Sequence, residues 1–122
     1  MKSPKVYWHP NCSTCKKAVA FLKKKGIEHD LADLRETAPS ARELETMAKA
    51  YDGETRKLFN TSGQAYREKN LKDRLPGLNQ KERLALLRDD GLLVKRPFLL
   101  LDGERGLVGF KEADWAKAFS KR

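Results

Sequence analysis

Cysteine is scarce in this sequence, since Cys12 and Cys15 are the only two among 122 residues. Two cysteines cannot form the disulfide framework of a small secreted domain, and residues 1–20 show no uninterrupted apolar segment of a secretory signal. Long apolar runs are lacking too: the longest is strand-sized and falls well short of the roughly 20 residues of a transmembrane helix. We therefore expect a cytoplasmic protein without a membrane span.

Acidic residues are fewer than basic ones, since 17 Asp and Glu against 26 Lys and Arg give a formal charge of +9. Such a charge favours anionic partners, which include nucleic acids, phosphorylated or carboxylate-bearing small molecules and acidic protein faces. The basic residues are scattered and mixed with acids, however. The sequence also lacks the aromatic pattern of an RNA-binding sheet and a convincing helix-turn-helix. We expect no direct reading of nucleic acid.

The apolar pattern predicts strands and helices within one domain that spans residues 1–122. Helix-favouring pieces between the second and third long helices are broken near residues 60–63 and 76–77. This order suits a four-stranded mixed sheet with helices packed on it, an α/β sandwich with a helical insertion. The predicted strands are 5–9, 27–34, 92–101 and 105–110, and the predicted long helices are 13–25, 40–53, 79–91 and 111–122.

Local signals mark the ends of several of these helices. Ser40 with Glu43, and Asn79 with Glu82, have the spacing of a capping box, in which each residue of the pair satisfies a backbone N–H at the helix start. Gly26 follows three lysines and is typical of the residue just beyond a helix C-terminus.

The two cysteines lie where the first strand meets the first helix, in the segment HPNCSTCKK at residues 9–17. A helix start offers unpaired backbone N–H groups and the positive end of the helix dipole, and both stabilise a thiolate. Cys12 has that position. Cys15, one turn later, is placed to attack a mixed disulfide formed at Cys12. The spacing favours a redox pair with Cys12 as nucleophile and Cys15 as resolving thiol.

Other interpretations of the pair remain open at this point. A zinc site needs about four ligands, and only His9 and His29 are available beside the cysteines. Covalent haem attachment requires His directly after Cys15, but that residue is Lys16. The cysteines could also be small buried residues or an incidental disulfide.

The residues around the pair are candidates for substrate binding. Pro10 and Asn11 keep the preceding backbone out of the helix, so that the loop can present the sulfur. Lys16 and its neighbour Lys17 add positive charge within a turn. The hydroxyls of Ser13 and Thr14 could donate hydrogen bonds to the Cys12 thiolate, although both residues suit the first turn of any helix.

Four segments in this order and at these separations resemble the arsenate reductase (ArsC), YffB and Spx family, and the resemblance spans nearly the whole chain. It implies a thioredoxin-like, glutaredoxin-like fold of the ArsC type, with a helical insertion over about residues 35–90. It also implies that Pro97 is a cis-proline beside the active cysteine and belongs to the substrate-binding set. Arg96, by the same resemblance, reaches the thiol or its anionic partner. The segments are YWHPNCSTCKKAVAFL, FNTSGQAYREKNL, LLVKRPFLLL and LVGFKEADW.

The branches of this family differ in ways that bear on function. Arsenate reductases coupled to glutaredoxin use one cysteine and three arginines, and here Asn60 and Gly109 stand where two of those arginines would be. Arsenate reduction is therefore not expected, because an oxyanion of that kind needs bidentate guanidinium contacts. Arg56 or Arg67 would have to substitute.

Spx regulators share the CxxC motif and the arginine before proline. In them the disulfide acts as a switch for binding the RNA polymerase α subunit, but this sequence lacks the basic tail of Spx. YffB-like members are reductases that depend on small thiols, and the FNTSGQAYR segment fits them.

These observations lead to the expectation of a thiol-disulfide oxidoreductase with catalytic Cys12, Cys15 and Arg96. The resemblance implies no tightly bound cofactor and no metal. It implies reduction by glutathione or another low-molecular-weight thiol, by glutaredoxin, or by a thioredoxin-like protein. The alternative is an Spx-like redox regulator that binds the RNA polymerase α subunit.

Overall fold

A single mixed sheet of four strands lies at the centre of the fold in the computed structural model, which describes residues 3–120. The strand order is β2-β1-β3-β4; β1 and β2 are parallel, and β3 is antiparallel to both β1 and β4. The predicted four-stranded mixed sheet is confirmed. Its strands are β1 (Lys5–Trp8), β2 (Asp30–Asp33), β3 (Phe98–Leu100) and β4 (Gly106–Val108).

Six α-helices accompany the sheet in the described part of the chain. Four of them, α2 to α5, lie between β2 and β3, within the stretch for which the resemblance implies a helical insertion. Single 3₁₀ turns at Thr55–Leu58 and Leu75–Gly77 lie between these helices, and a third at Gly91–Leu93 follows α5. The helices are α1 (Ser13–Lys24), α2 (Ala41–Ala50), α3 (Gln64–Glu68), α4 (Leu71–Arg74), α5 (Gln80–Asp89) and α6 (Glu112–Ser120).

The sequence signals at helix ends are confirmed. Both capping boxes form, with the side chain of Ser40 accepting from the N–H of Glu43 and that of Asn79 accepting from the N–H of Glu82. Gly26 follows α1 with a φ of +66°, a conformation that glycine adopts without the steric cost of a Cβ. The predicted C-terminal helix forms as α6. Residues 121 and 122, which the prediction included, lie outside the described residues.

The predicted strands are longer than the observed ones. Residues 27–29 precede β2, because the N–H of Ile27 bonds to the carbonyl of Leu22 and closes the end of α1 instead of joining the sheet. At the start of the predicted strand 92–101, Gly91–Leu93 forms a 3₁₀ turn. The Asp90 side chain caps the start of that turn. Pro97 has no N–H for sheet pairing, and β3 begins directly after it.

Alternating side chains of the sheet serve two apolar clusters. Val6 and Leu99 pack with Leu22 of α1 and Trp115 of α6. Tyr7, the next residue along β1, packs instead with residues of α2, α5 and the connecting segments. Because side chains of a strand point alternately to opposite faces, helices cover both faces of the sheet, and β1 is buried at the centre. No helix within residues 3–120 is long and apolar enough to cross a membrane.

Candidate active site

Cys12 caps the N-terminus of α1, directly after the loop that leaves β1. Its backbone is extended, with φ −90° and ψ 119°, and its N–H donates to the carbonyl of His9 over 3.0 Å. Its Sγ accepts a hydrogen bond from the backbone N–H of Cys15 at 3.4 Å. The thiol therefore takes the place of the oxygen with which Ser, Thr or Asp usually caps a helix, and its sulfur faces the N–H groups of the first turn.

The pKa of Cys12 reflects this position. Partial burial by itself raises the pKa, but the backbone N–H and the thiol of Cys15, the charge of Arg96 and the N–H of Thr14 together lower it below its usual value. Each of these groups interacts more favourably with a thiolate than with a thiol. Cys12 is also partly exposed. It is thus an accessible sulfur in an environment that favours its anionic, nucleophilic form.

Cys15 has the opposite character. It is fully buried, and burial, with a smaller contribution from the thiol and charge of Cys12, raises the pKa of Cys15 to about 12. The backbone N–H of His9 and the charge of Arg96 act in the other direction but do not outweigh burial. Both cysteines are free, and they lie within hydrogen-bonding reach of each other. In this reduced state Cys15 is a protonated donor to the sulfur of Cys12.

Arg96 approaches this pair from the segment that leads into β3. Its side chain is partly buried, and its charge lowers the pKa of Cys12, Cys15 and His9, so it lies close to all three. The peptide bond between Arg96 and Pro97 is cis, as the resemblance implies. Arg96, 84 positions away from Cys12 in the sequence, thus places a positive charge near the Cys12 thiol.

Comparison with known proteins shows the family of this chain. A model of the ArsC family matches residues 7–118. The chain belongs to the ArsC family. The protein YusI of Bacillus subtilis is 45% identical over 106 residues, which cover 87% of this chain and 89% of YusI.

Solved structures of the family have the same fold. An ArsC family related protein from Bacteroides fragilis superimposes with a TM-score of 0.88 at 35% identity, covering 95% of this chain and 97% of that one. A possible arsenate reductase from Streptococcus mutans gives 0.86 at 34% identity, covering 95% and 99%. A more distant relative, the global transcriptional regulator Spx of Staphylococcus haemolyticus, is 26% identical over 88% of this chain and 79% of its own length. The thioredoxin-like fold of the ArsC type is therefore confirmed.

The other residues predicted to bind substrate differ in exposure. Asn11, Ser13, Thr14 and Lys16 are exposed, and Thr14 acts on the thiol through its backbone N–H. Pro97 is buried directly after Arg96, and its carbonyl accepts from the N–H of Gly109 at 2.9 Å. Of this set, Thr14 is thus connected to the Cys12 thiol by a hydrogen bond, and the substrate-binding role of all five residues stays a prediction.

His9 belongs to the site, although the sequence indicated it only as a candidate metal ligand. Its ring Nδ1 accepts the backbone N–H of Asn11 at 3.0 Å, and its carbonyl accepts the N–H of Cys12. Partial burial, followed by the positive charges of Arg96 and Arg35, lowers the pKa of His9. A neutral ring whose unprotonated Nδ1 accepts this hydrogen bond therefore fixes the loop before Cys12. The only sequence signal was its place between strand and CxxC motif.

A metal centre finds no support in the described part of the chain. Residues 3–120 contain no group of three or more His, Cys, Asp or Glu side chains placed to hold a metal ion. The ring of His9 is already engaged by Asn11, and the Nδ1 of His29 lies 2.8 Å from the carbonyl of Ile27, at the other end of α1.

Proposed function

We propose that this ArsC family protein is a thiol-disulfide oxidoreductase in which Cys12 is the nucleophile and Cys15 the resolving thiol. One observation carries the proposal: Cys15, one turn into α1, holds the sulfur of Cys12 by its backbone N–H at 3.4 Å while its own thiol stays buried and protonated. This asymmetry gives the two sulfurs of one pair different roles.

The reaction proceeds in two exchanges. The Cys12 thiolate attacks one sulfur of a substrate disulfide, so that a Cys12 mixed disulfide forms and the other substrate sulfur leaves as a thiolate. Cys15 then loses its proton to that leaving thiolate or to water and attacks Cys12 Sγ. The second substrate thiolate leaves, and the protein holds a disulfide between Cys12 and Cys15.

The proton of Cys15 becomes easier to remove once the mixed disulfide has formed. Cys12 then carries no charge, which removes the part of the pKa elevation of Cys15 that comes from Cys12, while the charge of Arg96 remains. Two thiols from glutathione, another small thiol, glutaredoxin or a thioredoxin-like protein restore the reduced pair. The exposed residues Asn11, Ser13, Thr14 and Lys16 provide the surface on which the thiol substrate docks, with Pro97 behind it.

Arsenate is not the proposed substrate. Arsenate reductases coupled to glutaredoxin resemble this chain but use three arginines, and Asn60 and Gly109 stand at two of the three positions here. The remaining guanidinium, that of Arg96, can hold an anion at one side only. We expect no turnover of arsenate in an assay coupled to glutaredoxin and NADPH.

A redox titration in glutathione buffers, with thiols trapped and counted by mass spectrometry, tests the proposal. We expect a two-electron transition between roughly −180 and −270 mV, the range of working thiol-disulfide proteins. The Cys15→Ser variant should stop at a glutathione adduct on Cys12, and Cys12→Ser should form neither adduct nor internal disulfide. Failure of the wild-type protein to form an internal disulfide at any potential would exclude the dithiol mechanism.

The similarity to Spx supports a second candidate, a redox regulator that binds the RNA polymerase α subunit. The same redox pair would then control an interface instead of serving turnover. Binding of the oxidised and reduced protein to the isolated C-terminal domain of the α subunit distinguishes the two. Equal lack of binding in both states removes the regulatory candidate, whereas a disulfide-dependent interaction without reductase activity would favour it over the enzyme.

A further inference from the structure

A second concave region is lined by residues other than the two cysteines. Its volume is about 820 Å³, and it is bounded by the 3₁₀ turn Thr55–Leu58, by the segment from Leu107 to Gly109, and by the start of α6. Neither Cys12 nor Cys15 lines it. This region, called the basic cavity below, has the size of a site for a small organic molecule.

The basic cavity carries positive charge that the protein does not neutralise. Arg56, Lys95 and Lys111 line it, all three are exposed, and none forms an ion pair with another residue in the part of the chain that the structure describes. Lys57, another basic residue of the lining, forms an ion pair with Glu54 at 2.8 Å. Like charges gathered in one concavity create a positive potential that attracts an anion.

Arg83 adds a further charge to one wall of the cavity. It is partly buried, and its guanidinium donates to the carbonyls of Leu75 and Leu78 and to the hydroxyl of Thr55. All of these acceptors are neutral, so the positive charge of Arg83 is fixed in place without a carboxylate. Asp114 is the one acidic residue besides Glu54 among the lining residues. The positive charge of the cavity therefore exceeds the negative.

Aromatic side chains form the apolar part of the lining. Phe59 and Trp115 are almost completely buried, and Tyr51 is partly exposed. The polar atoms of two of these rings already have partners, because Trp115 Nε1–H donates to the carbonyl of Gly109 at 3.1 Å and Tyr51 Oη accepts from the N–H of Val108 at 2.9 Å. These bonds hold the rings in place, so the walls are formed before any ligand arrives.

We propose that the basic cavity binds a small organic phosphate, a molecule with several negative charges and a planar apolar part. Phosphate groups match the charge because each carries more negative charge than a carboxylate and accepts hydrogen bonds from both Arg and Lys. The planar part meets the ring of Tyr51, which is partly exposed, whereas Phe59 and Trp115 are almost completely buried. The proposal does not depend on the redox function, since it involves different residues.

Calorimetric titration of the whole protein with ATP in the presence of EDTA, and separately with inorganic triphosphate and citrate, tests it. We expect saturable 1:1 binding of ATP, weaker binding of triphosphate because it lacks the planar part, and weaker binding still of citrate. ATP and triphosphate binding equally well would refute the role of the Tyr51 ring. Citrate binding more tightly than both would refute the assignment to phosphate.

Two matched triple variants locate the site. The combined substitution Arg56→Gln, Lys95→Gln and Lys111→Gln should weaken ATP binding more than tenfold. The control, Lys69→Gln, Lys72→Gln and Lys81→Gln, removes the same charge from exposed side chains outside the cavity and should change binding less than twofold. Equal weakening in both variants, or no saturable binding to the wild-type protein, would overturn the proposal.

Discussion

The backbone N–H of Cys15 donates to the sulfur of Cys12 over 3.4 Å, so the second cysteine of the pair supports the first before it reacts with it. The side chain of Cys15 acts in the same direction, since its thiol lowers the pKa of Cys12. A mixed disulfide at Cys12 would remove the charge that these donors stabilise. Cys15 therefore stabilises the nucleophile Cys12 and is also placed to displace the substrate from it.

The two thiols should react with an alkylating agent at very different rates. A pKa of about 12 leaves only about one Cys15 in 10⁵ as thiolate at pH 7, whereas the pKa of Cys12 is below its usual value. Cys12 is also the more exposed of the two. Iodoacetamide should therefore label Cys12 more than about a hundredfold faster than Cys15 in the reduced wild-type protein, as followed by peptide mass spectrometry. Comparable rates would remove the assignment of nucleophile and resolving thiol.

Replacement of Arg96 should change two titrations at once. Its charge lowers the pKa of both Cys12 and His9, although burial and other groups contribute to each. In Arg96→Gln, the inflection in the pH dependence of Cys12 alkylation should move to higher pH. The midpoint of the His9 ring resonance in NMR should rise as well.

The neighbouring residue supplies the control for this experiment. Lys95→Gln removes the same charge from the adjacent position, but Lys95 is exposed and lines the basic cavity, whose lining includes neither cysteine. It should leave both titrations close to those of the wild-type protein. Equal shifts in the two variants would mean that net charge, and not the position of Arg96, sets the reactivity of Cys12.

Much of the fold could be predicted because its signals are local. The helix starts at Ser40 and Asn79 and the stop at Gly26 each depend on a few neighbouring residues, and all three formed as predicted. Strand lengths depend on distant partners instead. Residues 92–94 are apolar, but the Asp90 cap places 91–93 in a 3₁₀ turn, Val94 forms an isolated bridge with Phe59, and Pro97 has no N–H. Only Phe98–Leu100 therefore pair in β3.

The site could be predicted only in part, for the same physical reason. The position of Cys12 at a helix start follows from the nearby sequence, whereas the approach of Arg96 depends on the pairing of β3 with β1. That approach came from the family resemblance and not from the residues themselves. The contact between His9 Nδ1 and the N–H of Asn11 had no sequence signal, because a backbone N–H can donate to any suitable acceptor nearby.

The capping residue of α5 should contribute measurably to stability. The side chain of Asn79 accepts a hydrogen bond from the N–H of Glu82 at 2.8 Å. Removal of that side chain leaves the N–H of Glu82 without this acceptor. Asn79→Ala should lower the free energy of unfolding by about 1 kcal/mol, as measured by urea denaturation. Asn79→Asp keeps an acceptor oxygen and should be neutral or slightly stabilising at pH 7, since a negative charge at a helix N-terminus is favourable. Equal losses in both variants would point to a cause other than the cap.

Glu43 links α2 to the central strand and should make stability depend on pH. Burial by itself raises its pKa, but the hydroxyl of Tyr7, the N–H of Ser40 and the ammonium of Lys5 outweigh burial and lower it. Tyr7 Oη donates to Glu43 at 2.6 Å. A lowered pKa in the folded state means that this stabilisation is complete above the pKa of the unfolded chain. It is lost as the pH falls through the lower, folded-state value.

The contribution of Glu43 should be about 1 kcal/mol, below the roughly 1.5–3 kcal/mol of a hydrogen bond to a charged group, because solvent screens the exposed side of the network. Wild-type protein should therefore lose about that much more stability than Glu43→Gln between pH 6 and pH 3 in urea denaturation. Glu45→Gln removes an exposed carboxylate from the same helix and should follow the wild-type curve. If Glu43→Gln and the wild-type protein lose stability in parallel, the carboxylate of Glu43 has the same proton affinity in the folded and unfolded chain.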